Sequence, residues 1–141
     1  MKILIIFFLL ILNFSSCKKN NNEYPVPNIP FDITINIDFP SYSSLIGVGG
    51  WLYLQGGSRG IIVYRNTMDS FVAFDRHSPE DPNGECYEAL TIDSINFLQL
   101  NDKCSGATFS LYDGSSIKGS KFGLRQYQTY WNGTNILRIY N

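Results

Sequence analysis

The sequence predicts an all-β domain, a small antiparallel sandwich or barrel, on three observations. Aromatic residues make up 15% of the 141 residues and charged residues only 16%, a composition suited to pleated, half-buried surfaces. From residue 31 onward, apolar and polar side chains alternate with the two-residue period of a strand. Turn sequences interrupt these segments at short, repeated intervals, no window carries a 3.6-residue apolar stripe, and no internal repeat is found.

The chain opens differently. Met1-Lys2 supplies a positive charge, Ile3 to Leu12 is an unbroken apolar stretch, and Asn13-Phe14-Ser15-Ser16-Cys17 closes it. That stretch falls well short of the roughly 20 residues needed to span a bilayer core. Ser15 and Ser16 directly before a cysteine resemble a lipobox, with Phe14 standing where leucine is usual. The expectation is a lipoprotein signal peptide over residues 1–16 and a lipidated Cys17 as the new N-terminus, which places the domain outside the cytoplasm on a membrane of the cell envelope. The plainer alternative is an ordinary signal peptide followed by an idle cysteine.

Residues 17–30 read as a flexible tether. Lys18-Lys19-Asn20-Asn21-Asn22-Glu23 is polar, and Pro25, Pro27 and Pro30 follow, a composition that buries little surface and favours extended chain. Lys18 and Lys19 would add at most about 2 kcal/mol of attraction to anionic headgroups, so acyl chains would dominate anchoring. Eleven basic residues face twelve acidic ones, and cutting before Cys17 removes Lys2 from the basic set. Such a balance gives no electrostatic footprint for nucleic acid.

The domain occupies residues 31–141. Phe31, Ile33, Ile35, Ile37 and Phe39 alternate with Asp32, Thr34, Asn36 and Asp38 and form the clearest strand. Further strands are expected at Gly50 to Leu54, Gly60 to Arg65, Ser70 to Phe74, Tyr87 to Ile92, Ile95 to Leu100, Thr108 to Tyr112, Leu124 to Trp131 and Asn135 to Tyr140. The turns between them are Gly56-Gly57, Asn66 to Asp69, Pro79 to Gly84, Asp113-Gly114 and Asn132-Gly133. The last is the strongest hairpin signal, because both residues tolerate the positive φ of a type I′ turn. The serines of 41–44 and Ser115-Ser116 read as loop.

Phe71-Val72-Ala73-Phe74-Asp75-Arg76-His77-Ser78-Pro79-Glu80, then Asp102-Lys103-Cys104-Ser105-Gly106-Ala107-Thr108-Phe109, then Asp113-Gly114 and the closing stretch Gly119 to Tyr140, together resemble the Rieske iron–sulfur domain family. The resemblance covers about Gly49 to Asn141 and implies an all-β Rieske-like fold with a cluster-binding-type loop subdomain. In that family the first loop reads C-x-H and the second C-x-x-H-G-x-x-F. Here Ser78 and Glu80 fall on the first pair of ligand positions, and Asp102 and Ser105 on the second. A Rieske [2Fe–2S] centre takes two Cys and two His, whereas this chain has His77 alone and three cysteines including Cys17. The resemblance by itself suggests 2Fe–2S; the ligand count implies that no cofactor is held.

With Cys17 set aside, Cys86 and Cys104 are an even pair in an oxidising compartment and are expected to form a disulfide. Many Rieske domains tie their two cluster loops with such a bond, and Cys104 holds the matching place before the second-loop His position. The rival is a zinc set of Cys86, Cys104, His77 and Asp102, which lacks a close C-x-x-C pair. His77, beside Asp75 and Arg76, reads as a solvated or structural residue. Neither Ser78 nor Ser105 sits in a nucleophile motif, so no catalytic residue is assigned.

Carboxylates Glu80, Asp81, Glu85, Glu88 and Asp102 are expected near the tip of the loops, where they would bind a hard cation weakly. Gly47 to Gly50 and Gly56 to Gly60 read as turns, since a strand and not a helix follows each. Tyr42, Trp51, Tyr53, Tyr127, Tyr130 and Trp131 are expected mostly as cross-strand pairs, with some free to face a partner. The leading functional reading is a membrane-anchored, non-catalytic binding or structural module of the envelope, with the old cluster loops facing a protein partner. The alternatives are a Rieske-type electron-transfer protein and a zinc-binding or hydrolytic envelope protein.

Overall fold

The structure, a computed structural model, describes residues 24–141. The signal peptide expected over 1–16, Cys17 and residues 18–23 lie outside the described residues. Ten strands follow in order: β1 Asp32–Asn36, β2 Trp51–Leu54, β3 Ile61–Arg65, β4 Phe71–Asp75, β5 Thr91–Ile92, β6 Gln99–Asn101, β7 Thr108–Ser110, β8 Ser116–Lys118, β9 Gln126–Trp131 and β10 Ile136–Tyr140. A short 3-10 helix, Pro40–Leu45, sits between β1 and β2. The fold is all-β and antiparallel, as the composition and alternation predict.

Six strands form one curled sheet in the order β1-β10-β9-β4-β3-β2, and four form a second in the order β5-β6-β7-β8. The second sheet is inserted in sequence between β4 and β9, which themselves pair at Ala73 with Tyr127 and Phe74 with Gln126. Ile35, Ile61, Val63, Phe71, Ala73, Tyr127, Leu137 and Ile139 meet inside the curl, and Ile33, Leu52 and Leu54 pack against them. A second core joins Ile62, Tyr64, Val72 and Phe74 to Leu90, Leu100, Ala107, Phe109, Leu111 and Leu124 of the inserted unit.

Strands β3 and β4 therefore face a core on each side. That explains why Ile61-Ile62-Val63-Tyr64 and Phe71-Val72-Ala73-Phe74 are unbroken apolar runs, all buried, while β10, with its buried Leu137 and Ile139 around exposed Arg138, alternates.

Several local expectations are corrected. The hairpin at Asn132-Gly133 forms, but as a longer loop: the Asn132 carboxamide oxygen accepts N–H groups of Thr134, Asn135 and Ile136, and β9 and β10 pair only from Trp131 with Leu137 outward. A side chain able to cap three amides stabilises the wider turn better than a two-residue one.

Residues 95–98 are turn instead of strand, because Asp93 Oδ1 takes the N–H of both Ile95 and Asn96. Ser116 starts β8 where loop was expected, and Pro40, at the first position of the 3-10 helix, organises the serines that follow. Phe39 ends up 58% exposed because β1 stops at Asn36 before reaching it.

Part of the Pro-rich half of the expected tether is held against the domain, while Pro27, Asn28, Ile29 and Pro30 are exposed. Val26 is buried, its carbonyl accepts two N–H groups of Arg125, and the Tyr24 hydroxyl donates to the Gly123 carbonyl. A guanidinium bridging to backbone supplies the partners that a proline-containing segment cannot make for itself.

Candidate functional site

Two loops converge at the far end of the inserted sheet. The first runs from Arg76 to Leu90 between β4 and β5, and the second from Asp102 to Ala107 between β6 and β7. The second closes on itself: Gly106 N–H donates to the Asp102 carbonyl and Asp102 N–H to that of Ala107. Gly106 takes φ +76° there, a left-handed conformation that favours glycine.

Asp102 is turned inward and buried. Its carboxylate accepts the Ser105 hydroxyl at 2.6 Å, the Cys104 N–H at 2.8 Å and the Ser105 N–H at 3.2 Å. Ser78 of the first loop is buried like Asp102, and its hydroxyl contributes to lowering the Asp102 pKa. Burial alone would raise its pKa, but the hydrogen bonds from Ser105 and Ser78 and the two amides outweigh it and hold the carboxyl below the usual carboxylate range.

Ser78 also accepts the Glu80 N–H at 3.2 Å, and Ser105 Oγ accepts the Ala107 N–H at 3.1 Å. Asp102 and Ser105 are thus one hydrogen-bonded group on the second loop, and Ser78 with the Glu80 backbone another on the first, with the Glu80 side chain exposed. Cys86 and Cys104 form the expected disulfide across the same gap, with Cα atoms 6.2 Å apart.

The acidic residues do not pool into a cation site. Asp81 Oδ1 and Oδ2 accept the N–H groups of Glu85 and Cys86, and Arg59 Nη2 lies 3.5 Å from Asp81 Oδ2. Glu88 is paired with Lys103 at 2.8 Å. A shallow depression of about 340 Å³ remains, lined by Glu80, Asp81, Glu85, Cys86, Asp102, Cys104 and Ser105.

Of the suggested zinc set, Cys86, Cys104 and Asp102 come together, with ligand atoms within 4.8 Å of one another, while His77 is engaged elsewhere. Both sulfurs are in the disulfide, and both ring nitrogens of buried His77 are engaged, Nδ1 with Ser58 Oγ at 2.7 Å and Nε2 with the Asp81 carbonyl at 2.7 Å. A carbonyl only accepts, so Nε2 carries a proton, and in the neutral ring Nδ1 accepts from Ser58. Ser58 is a partner that the sequence reading missed, because it lies 19 positions away in a turn. The pair pins the first loop to the β2–β3 turn.

Beneath this lies buried Asp75, whose carboxylate accepts the N–H groups of Ser58 at 2.6 Å, His77 at 2.7 Å and Arg59 at 3.2 Å, and the Tyr127 hydroxyl. Gly57, at φ +60°, lets the turn come this close; a Cβ there would lie 2.4 Å from the Tyr127 hydroxyl oxygen.

Most of the singled-out aromatics are structural. Tyr127 is in the core, with Tyr42 and Trp131 packed against it. Trp51 packs on the second core, and Tyr53 lies 3.7 Å under the Arg76 guanidinium. Tyr130 is exposed, and so are Tyr87, Ile95, Phe97 and Tyr112 of the inserted unit.

Compared with known proteins, the chain matches no family model and no curated protein.

Proposed function

We propose that this chain is an exported lipoprotein, anchored to an envelope membrane through Cys17, whose Rieske-like domain has exchanged its cluster for a self-contained polar tip and serves as a non-catalytic binding or structural module. One observation carries the reading. Asp102 and Ser105, two of the four positions where the resemblance puts iron ligands, are hydrogen-bonded to each other, and a disulfide joins their loop to the loop that carries the other two, Ser78 and Glu80.

The placement of a four-stranded unit between β4 and β9, with both loops at its end, supports the same ancestry. The donor set does not fit a [2Fe–2S] centre: it offers hydroxyl and carboxylate oxygens, already satisfied by one another, and no thiolate or imidazole. The hydrogen bonds and the disulfide give the loops the order that a metal would otherwise supply. The rigid tip is then a surface for an envelope protein partner.

The test is metal analysis, a visible spectrum and thiol titration on the chain produced under oxidising conditions. The proposal expects a colourless, iron-free and zinc-free protein with Cys86 and Cys104 unreactive until reduced. Stoichiometric iron and sulfide would make it a redox protein; stoichiometric zinc with two free thiols would restore the metal-binding alternative.

A further inference from the structure

Near the point where the described chain begins, two exposed lysines lie beside two exposed apolar side chains. Among the described residues, six basic side chains are engaged within the domain: Arg59 with Asp81, Arg65 with the carbonyls of Leu45 and Ile46, Arg76 with that of Leu90, Lys103 with Glu88, Arg125 with Val26 and Arg138 with Asp32. Lys118 and Lys121 make no hydrogen bond or ion pair and are exposed. They sit on one short stretch with exposed Ile117 and Phe122, so two free charges are flanked in sequence by two apolar side chains.

That stretch is where Tyr24 docks. Its ring meets Phe122 edge-on at 6.0 Å between centroids, and its hydroxyl is tied to the Gly123 carbonyl. A groove beside it is lined by Pro25, Pro79, Pro82, Gly119, Ser120, Lys121 and Phe122, with Glu80 its single acid. Only residues 18–23 lie between Cys17 and Tyr24, a chain that reaches about 25 Å when fully extended. An acyl group on Cys17 would therefore keep Tyr24, and with it the Lys118 to Phe122 stretch, within about 25 Å of the headgroups.

We infer that Lys118, Lys121, Ile117 and Phe122 form a docking face for an anionic membrane surface, which orients the domain on the bilayer. The inference rests on the reading of Cys17 as the lipid anchor. Each lysine near an anionic surface favours the docked orientation by about fivefold, and the two together by about twenty-fivefold. Phe122 and Ile117 reach the interfacial layer between them.

The experiment is amine labelling of the full processed chain on vesicles of phosphatidylcholine alone and of phosphatidylcholine with phosphatidylglycerol, read residue by residue by mass spectrometry. The same spectra report the mass at Cys17. The expected result is an acylated Cys17 with Lys118 and Lys121 labelled about tenfold more slowly on the anionic vesicles than on the neutral ones. An acylated Cys17 with equal labelling on both overturns the docking face alone. An unmodified Cys17 overturns the anchor, and the orientation with it.

Discussion

Tyr127 on β9 donates its phenolic proton to Asp75 at the end of β4, and both residues are buried. The bond links the closing hairpin to the strand that launches the first loop. Three backbone amides share the same carboxylate, so the contact is one of four on a single buried charge. Replacing Tyr127→Phe leaves that charge short of a donor and is expected to cost about 1–3 kcal/mol in denaturant unfolding. An unchanged midpoint would show that water replaces the phenol.

Alkaline titration has a definite sign. Burial, helped by the bond to Asp75, pushes the Tyr127 phenol well above the ordinary tyrosine value, and burial pushes Tyr24 up to about 12 against the opposing charge of Arg125. A group whose folded pKa is raised contributes stability that is complete below its unfolded value, near 10, and is lost as pH rises through the folded one. Tyrosinate absorbance should show Tyr24 and Tyr127 ionising late, and Tyr24→Phe should remove one of those two late steps. Nine tyrosines ionising together near pH 10 in the folded protein would contradict the burial of both.

Asp102 has the opposite sign. Its folded pKa lies below 3.8 because hydrogen bonds outweigh the effect of burial. Its stabilisation is complete above the unfolded value and is lost as pH falls through the lower folded one. Asp102→Asn is expected to cost about 1–3 kcal/mol at neutral pH and to flatten the acid limb of a stability–pH curve. An unchanged acid limb would show that the cluster at Ser78 and Ser105 does not depend on the charge.

Gly57 and Gly133 both take positive φ, +60° and +83°, but only Gly57 is crowded. Gly133→Ala should cost about 1–2 kcal/mol for its backbone conformation alone. Gly57→Ala adds a collision with Tyr127 and Asp75 and should cost more than about 3 kcal/mol, read as the difference between two thermal melts. Equal costs would mean that the turn moves aside freely.

Cys86→Ser with Cys104→Ser opens an 18-residue separation and is expected to lower stability by about 3 kcal/mol in the chain-entropy account. The Asp102–Ser105 hydrogen bonds should hold the tip partly ordered, so far-ultraviolet circular dichroism is expected to stay native at moderate temperature. Loss of the whole β signal would show that the bond, and not the polar group, maintains the tip.

The alternating segment at Phe31 to Ile37 and the two apolar runs were legible because strand period and burial write themselves directly into residue order. Strand ends were less so. Asp93 and Asn132 redirect the backbone through their own side chains, and that competition depends on which amides lie in reach. The Cys86–Cys104 bond followed from counting cysteines. The Ser58–His77 contact did not, because nothing local marks a turn serine as the neighbour of a loop histidine. Likewise the docking of Val26 depends on Arg125, a partner distant in sequence that only the fold brings near.

The hairpin of β3 and β4 is a wall shared by two rooms, with Ile61 and Val63 on one side and Ile62 and Tyr64 on the other. Loosening either core exposes one face of the same hairpin, so neither half melts without weakening its neighbour. The amides of Ile62, Val63, Val72 and Ala73 should accordingly be the slowest to exchange with solvent deuterium. Any partner that stiffens the tip would then slow exchange inside the curled sheet as well, although it touches no residue there.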